Sequence, residues 1–124
     1  MATFVHFDIS AENLERAKSF YETLFGWKIK SMPGFPDYYE IETAGLDGGA
    51  GLGGGISKRA DAELKQIIDF VGVASIDETI GQLSRLGGKV IRAKQVVPGY
   101  GYLAVCADTE ENLIGLFQED KNVR

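Results

Sequence analysis

The chain has 124 residues, 44% hydrophobic and 25% charged, with a net charge of −5 and a pI near 4.8. That length suits one domain over 1–124, and the composition is that of an ordinary globular protein, neither disordered nor a coiled coil. The basic residues are scattered, with Lys58-Arg59 the only adjacent pair, so no patch is present to hold a nucleic-acid backbone.

The N-terminal MATFVH has neither a basic region nor a long apolar run, and no stretch is long enough to span a membrane. The expected location is the cytoplasm. Phe4–Ile9 mixes aromatic, β-branched and apolar residues and suits a strand with two unlike faces. Val5, Phe7 and Ile9 share one face, while Phe4, His6 and Asp8 share the other, so the only histidine points away from the side a following helix covers. Ser10 or Asn13 then caps a helix carrying Leu14, Ala17, Tyr21 and Leu24 at helical spacing, and Gly26 ends it. Trp27–Lys30 restarts the chain as a strand, with Trp27 as a core or interface anchor.

Ser31–Asp37 reads as a turn-rich connection and Tyr38–Thr43 as an alternating strand with Tyr38, Glu40 and Glu42 on one side. From Gly45 to Gly55 seven of eleven residues are glycine, which reads as a loop or lid. It has neither a GK[ST] ending nor a GxGxxG strand-to-helix context, so it is a poor phosphate cradle. Ile56–Lys65 reads as a connector, with one helical turn around 62–66.

A second strand, Ile67–Ala74, leads into a helix with Ile76, Ile80, Leu83 and Leu86 in register, capped by Ser75 or Asp77 and ended by Gly87-Gly88. Strands follow at Lys89–Gln95, Tyr102–Ala107 and Leu113–Gln118, with a turn at Asp108–Asn112 between the last two. The Pro98-Gly99 turn is a hairpin connection or a rim loop bearing Tyr100 and Tyr102. Cys106, the only cysteine, is a small core hydrophobe and has no disulfide partner in the chain.

Shifting the first helix by 62 residues lays Leu14 on Ile76, Tyr21 on Leu83 and Leu24 on Leu86. The expected fold is therefore α+β: two βαβββ modules, about 1–60 and about 64–124, forming a curved, cup-like mixed sheet with the helices outside and a cleft on the opposite faces. The segments VHFDIS, RAKSFYETLFGWKI, GGGISKR, SIDETIGQLSRLGGKV and GYLAVCADTEENLIGLFQ resemble the vicinal oxygen chelate superfamily over essentially the whole chain. That superfamily includes glyoxalases, bleomycin-resistance proteins and extradiol dioxygenases.

The resemblance implies metal ligands on the first and last strands of each module. These positions fall at His6, Gly53, Ile68 and Gly115, of which only His6 can ligate. An open catalytic metal site needs about three protein ligands, so no cofactor is expected, although a divalent metal held by His6 with carboxylates from Asp8, Glu40 and Glu42 stays open. The expected ligand is a small organic molecule in a cleft marked by His6. Asp8, Tyr38, Glu40, Phe70, Tyr100 and Tyr102 complete the ligand-binding set, Tyr38 and Glu40 being matched to Tyr100 and Tyr102 of the second module, with His6 and Glu40 as candidate catalytic groups. Three readings stay open: a lyase, isomerase or dioxygenase-related enzyme, a sequestering protein without turnover, and an accessory dimerisation module. The resemblance implies a homodimer.

Overall fold

The computed structural model describes residues 2–59 and 65–124. Its elements are β1 (Thr3–Ala11), α1 (Leu14–Phe25), β2 (Lys28–Met32), β3 (Phe35–Glu42), β4 (Gly54–Lys58), β5 (Ile68–Gly72), α2 (Ile76–Arg85), β6 (Lys89–Val97), β7 (Gly101–Ala107) and β8 (Leu113–Glu119). The class is α+β. The chain forms two compact units, His6–Ile67 and Ile68–Arg124, the latter including the residues up to Val5. Each unit runs helix then three strands after its opening strand.

In the first unit the strand order is β2-β3-β4-β1, with β1 and β4 parallel and the other pairs antiparallel. Asn13, rather than Ser10, caps α1: its Oδ1 accepts the Arg16 N–H at 2.9 Å, satisfying a donor that has no partner inside the helix. Gly26 takes the left-handed conformation at φ 69°, which closes the helix and turns the chain into β2. The helix lays Leu14, Ala17 and Tyr21 on a core of Ile9, Ala11, Ile29, Ile41 and Ile56. Trp27 joins that core, stacked on Tyr21 at 5.3 Å and tilted against Phe7 at 5.7 Å.

The connector expected from Ile56 onward is corrected here. Gly54–Lys58 is a strand paired on both sides, and Ile56 is fully buried. Its glycines are required by packing, since a Cβ at Gly54 would fall 2.6 Å from the Phe7 ring and one at Gly55 would fall 2.0 Å from Tyr38 Oη. The glycine run before it is a loop tied by its own hydrogen bonds, with the Gly49 N–H donating to Asp47 Oδ1 at 2.9 Å and the Gly45 N–H to the Gly49 carbonyl at 2.7 Å. Strand β3 also begins earlier than expected, at Phe35. Residues 62–64 of the suggested helical turn lie outside the described residues.

In the second unit the order is β5-β8-β7-β6, with β5 and β8 parallel. Ser75 Oγ caps α2 by accepting the Glu78 N–H, and Gln118 Oε1 accepts the Ile76 N–H at 2.9 Å. Ile80 and Leu83 cover Ile76, Ala104, Cys106 and Leu116, while a separate cluster joins Ile68, Phe70 and Val105. The Pro98-Gly99 turn is a hairpin connection closed by the Tyr100 N–H on the Val97 carbonyl at 2.9 Å.

The constant offset of 62 is corrected by register. Asp8 opposes Gly55 and Phe70 opposes Gly115, so β1 and β5 match at 62 while β4 and β8 match at 60. Likewise Tyr39 opposes Ile56 and Ala104 opposes Leu116, an offset of 65. The counterpart of Gly115 is therefore Gly55 rather than Gly53, and Tyr38 and Glu40 match Leu103 and Val105 rather than Tyr100 and Tyr102. Loops of unequal length between paired strands account for the drift.

Candidate functional site

The alternation of β1 puts Ile9 and Ala11 into the core under α1, which leaves His6, Asp8 and Ser10 on the opposite face. His6 and Asp8 side chains are 35% and 24% exposed there, accessible yet partly shielded from water. Tyr38 lies two strands away on β3, opposite Ser57. With no side chain at Gly55, its ring lies over β4 and reaches β1.

The result is a three-atom cluster. His6 Nε2 is 3.0 Å from Asp8 Oδ1 and 2.9 Å from Tyr38 Oη, and the Tyr38 hydroxyl donates to Asp8 Oδ1 across 3.3 Å. A carboxylate has no hydrogen to give, so the proton between His6 and Asp8 belongs to Nε2, whose N–H is shared with the tyrosine oxygen. In the neutral ring this makes Nδ1 the proton acceptor and fixes the tautomer. A carboxylate and a phenol thus orient one imidazole, a geometry suited to hydrogen bonding or proton transfer with a bound molecule.

Glu40 stands on the same face at the register position of Gly55, between β4 and Lys30 of β2. Phe70, Tyr100 and Tyr102 belong to the other unit. Phe70 packs with Ile68 and Val105, Tyr100 is half exposed in the β6–β7 turn, and Tyr102 packs in the α2-covered cluster with Lys94 Nζ 4.7 Å from its ring centroid. Three of the expected residues, His6, Asp8 and Tyr38, are therefore brought into mutual contact. Gly55 escaped notice in the sequence because its role is to leave room for a side chain seventeen residues earlier.

The superfamily's metal does not fit this donor set. Of the implied positions, Gly53 and Gly115 offer no ligand atom and Ile68 is buried among apolar residues. Among the described residues no group of three or more His, Cys, Asp or Glu side chains converges to hold a metal ion. His6 and Asp8 form only a pair.

Residues 3–44 match the model of the bleomycin resistance protein-like N-terminal family. Among solved structures, a methylmalonyl-CoA epimerase in complex with methylmalonyl-CoA and NH4+ aligns with a TM-score of 0.66 at 14% identity, covering 100% of this chain and 99% of that one. The chain has the vicinal oxygen chelate fold. Two further structures align over the same fold. The Mycobacterium tuberculosis methylmalonyl-CoA epimerase gives a TM-score of 0.64 at 14% identity, covering 94% of this chain and 87% of its own. The NAD-dependent benzaldehyde dehydrogenase from Legionella pneumophila gives 0.63 at 20% identity, covering 93% and 98%. No curated protein sequence matches this chain.

Proposed function

We propose that this chain binds a small organic molecule on the face of β1, β4 and β3 that carries His6, and does so without a metal. The observation that carries the reading is the His6–Asp8–Tyr38 cluster, in which one imidazole is oriented by two partners beside the side-chain-free Gly55. Oriented polar groups of this kind fix a ligand's position. The test is a thermal-shift screen with small aromatic and aliphatic carbonyl compounds, in which a ligand of the folded state raises the melting temperature. A stabilising compound should lose its effect in both His6→Ala and Tyr38→Phe. Stabilisation that survives undiminished in both variants would place binding elsewhere and end this reading.

The Nε2–H bond to Asp8 favours a second reading, metal-free proton transfer with Nδ1 as base. The epimerases that share the fold were solved with methylmalonyl-CoA or with 2-nitronate-propionyl-CoA, which makes a proton next to a thioester carbonyl a rational first substrate. Incubation with methylmalonyl-CoA in D2O, followed by proton NMR, should show exchange at that carbon, slowed about a hundredfold or more in His6→Ala. Equal exchange with and without His6 would exclude it as the base.

A further inference from the structure

We propose that the ligand is an organic anion whose carboxylate seats against Arg59, at the Ser10 end of the face that carries His6. The inference rests on the ligand-binding reading above and names the substrate class for that same site. Arg59 follows the last residue of β4, and its backbone N–H continues the β1–β4 ladder by donating to the Ala11 carbonyl at 2.7 Å. Its side chain then folds onto β1. Nε donates to Ser10 Oγ at 3.0 Å and Nη2 to the Ser10 carbonyl at 3.2 Å, both partly buried. Ser10 is two residues beyond Asp8 on the same face, so the guanidinium lies on the order of 7 Å along the strand from the carboxylate that holds His6.

The guanidinium is positioned, and no carboxylate among the described residues forms an ion pair with it. The ion pairs among the described residues are His6–Asp8, Lys18–Glu22, Lys94–Asp77 and Lys121–Glu119, and Arg59 is in none of them. A guanidinium carries five N–H donors in a planar fork, and the bonds to Ser10 engage two of its nitrogens. Ser10 Oγ, already accepting from Nε, has its own hydrogen to give. Ser57 stands opposite both Ser10 and Tyr38 in register, on the same face as Gly55, and adds a second hydroxyl. The other end of the face is acidic, with Glu40 at the register of Gly55 and Glu42 next along the same side of β3. A partly desolvated guanidinium beside two hydroxyls recognises a planar carboxylate by paired charge-assisted bonds, and the acidic end repels the reverse orientation. The ligand is thereby aligned with its acid group at Arg59 and its other end at His6.

The test uses benzoate and its neutral isostere benzamide as probes, titrated into the 15N-labelled full chain and followed by amide shifts. With wild type, benzoate should move the amides of Asp8, Ser10 and Arg59 and bind about tenfold tighter than benzamide. Arg59→Gln keeps a donor for Ser10 and should remove that preference, whereas Arg59→Lys should retain part of it through charge alone. Unchanged shifts across the rest of each variant's spectrum show that it is folded. If benzoate and benzamide bind this face equally and Arg59→Gln alters neither, the carboxylate seat is wrong and the ligand face stands. If neither probe moves those amides, the seat and the ligand face fall together.

Discussion

Gly55 governs the candidate site although it contributes no functional group. Alanine there would put a Cβ 2.0 Å from Tyr38 Oη and 2.1 Å from Tyr38 Cζ, so the ring must leave β4 and release His6 and Asp8. We expect Gly55→Ala to cost about 1–3 kcal/mol through overpacking, read by urea denaturation. It should also shift the His6 imidazole signals to those of Tyr38→Phe; imidazole signals identical to wild type would show that Tyr38 does not depend on the glycine. His6 and Asp8 were legible as neighbours because strand alternation alone puts them on one face. The contact of Tyr38 with them was not, because it depends on two strand registers and on the space above a glycine.

At the scale of elements, both helices were legible from local signals. The caps are short-range chemistry: Asn13 Oδ1 accepts the Arg16 N–H and Ser75 Oγ the Glu78 N–H. Asn13→Ala should therefore lower stability by about 1 kcal/mol in chemical denaturation. Strand β4 was legible only as the third strand after α1 that a βαβββ module requires, because its pairing with β1 and β3 is non-local and its two leading glycines imitate a loop. The Asp108–Asn112 turn makes a pH prediction. The backbone N–H and side-chain amide of Asn112, with the Glu110 N–H, hold the Asp108 carboxyl below its ordinary value. A depressed value in the folded state means that this contribution is present above the ordinary aspartate range and is lost as pH falls through the lowered value. Acid titration of stability should be shallower in Asp108→Ala than in wild type, and identical acid limbs would show that the turn does not supply it.

At the scale of the whole molecule, the single cysteine reports on opening. Cys106 is fully buried among Ile76, Ala104 and Leu116, and burial pushes its thiol above the ordinary range. Because the folded value is raised, its contribution to stability is present below the unfolded thiol's value and is lost as pH rises through the folded one. The native protein should react with dithiobis(nitrobenzoate) only as fast as this core opens, slower by several orders of magnitude than in urea. Rapid labelling without denaturant would contradict the packing of the second unit. The tyrosine lying over Gly55 also bears on chains descended from a common ancestor. A side chain at position 55 would meet the Tyr38 ring, so in related sequences a tyrosine kept at position 38 in this place requires the glycine to be kept with it. An alignment that pairs a retained tyrosine with a bulky residue at position 55 would identify a lineage in which this face has been rebuilt.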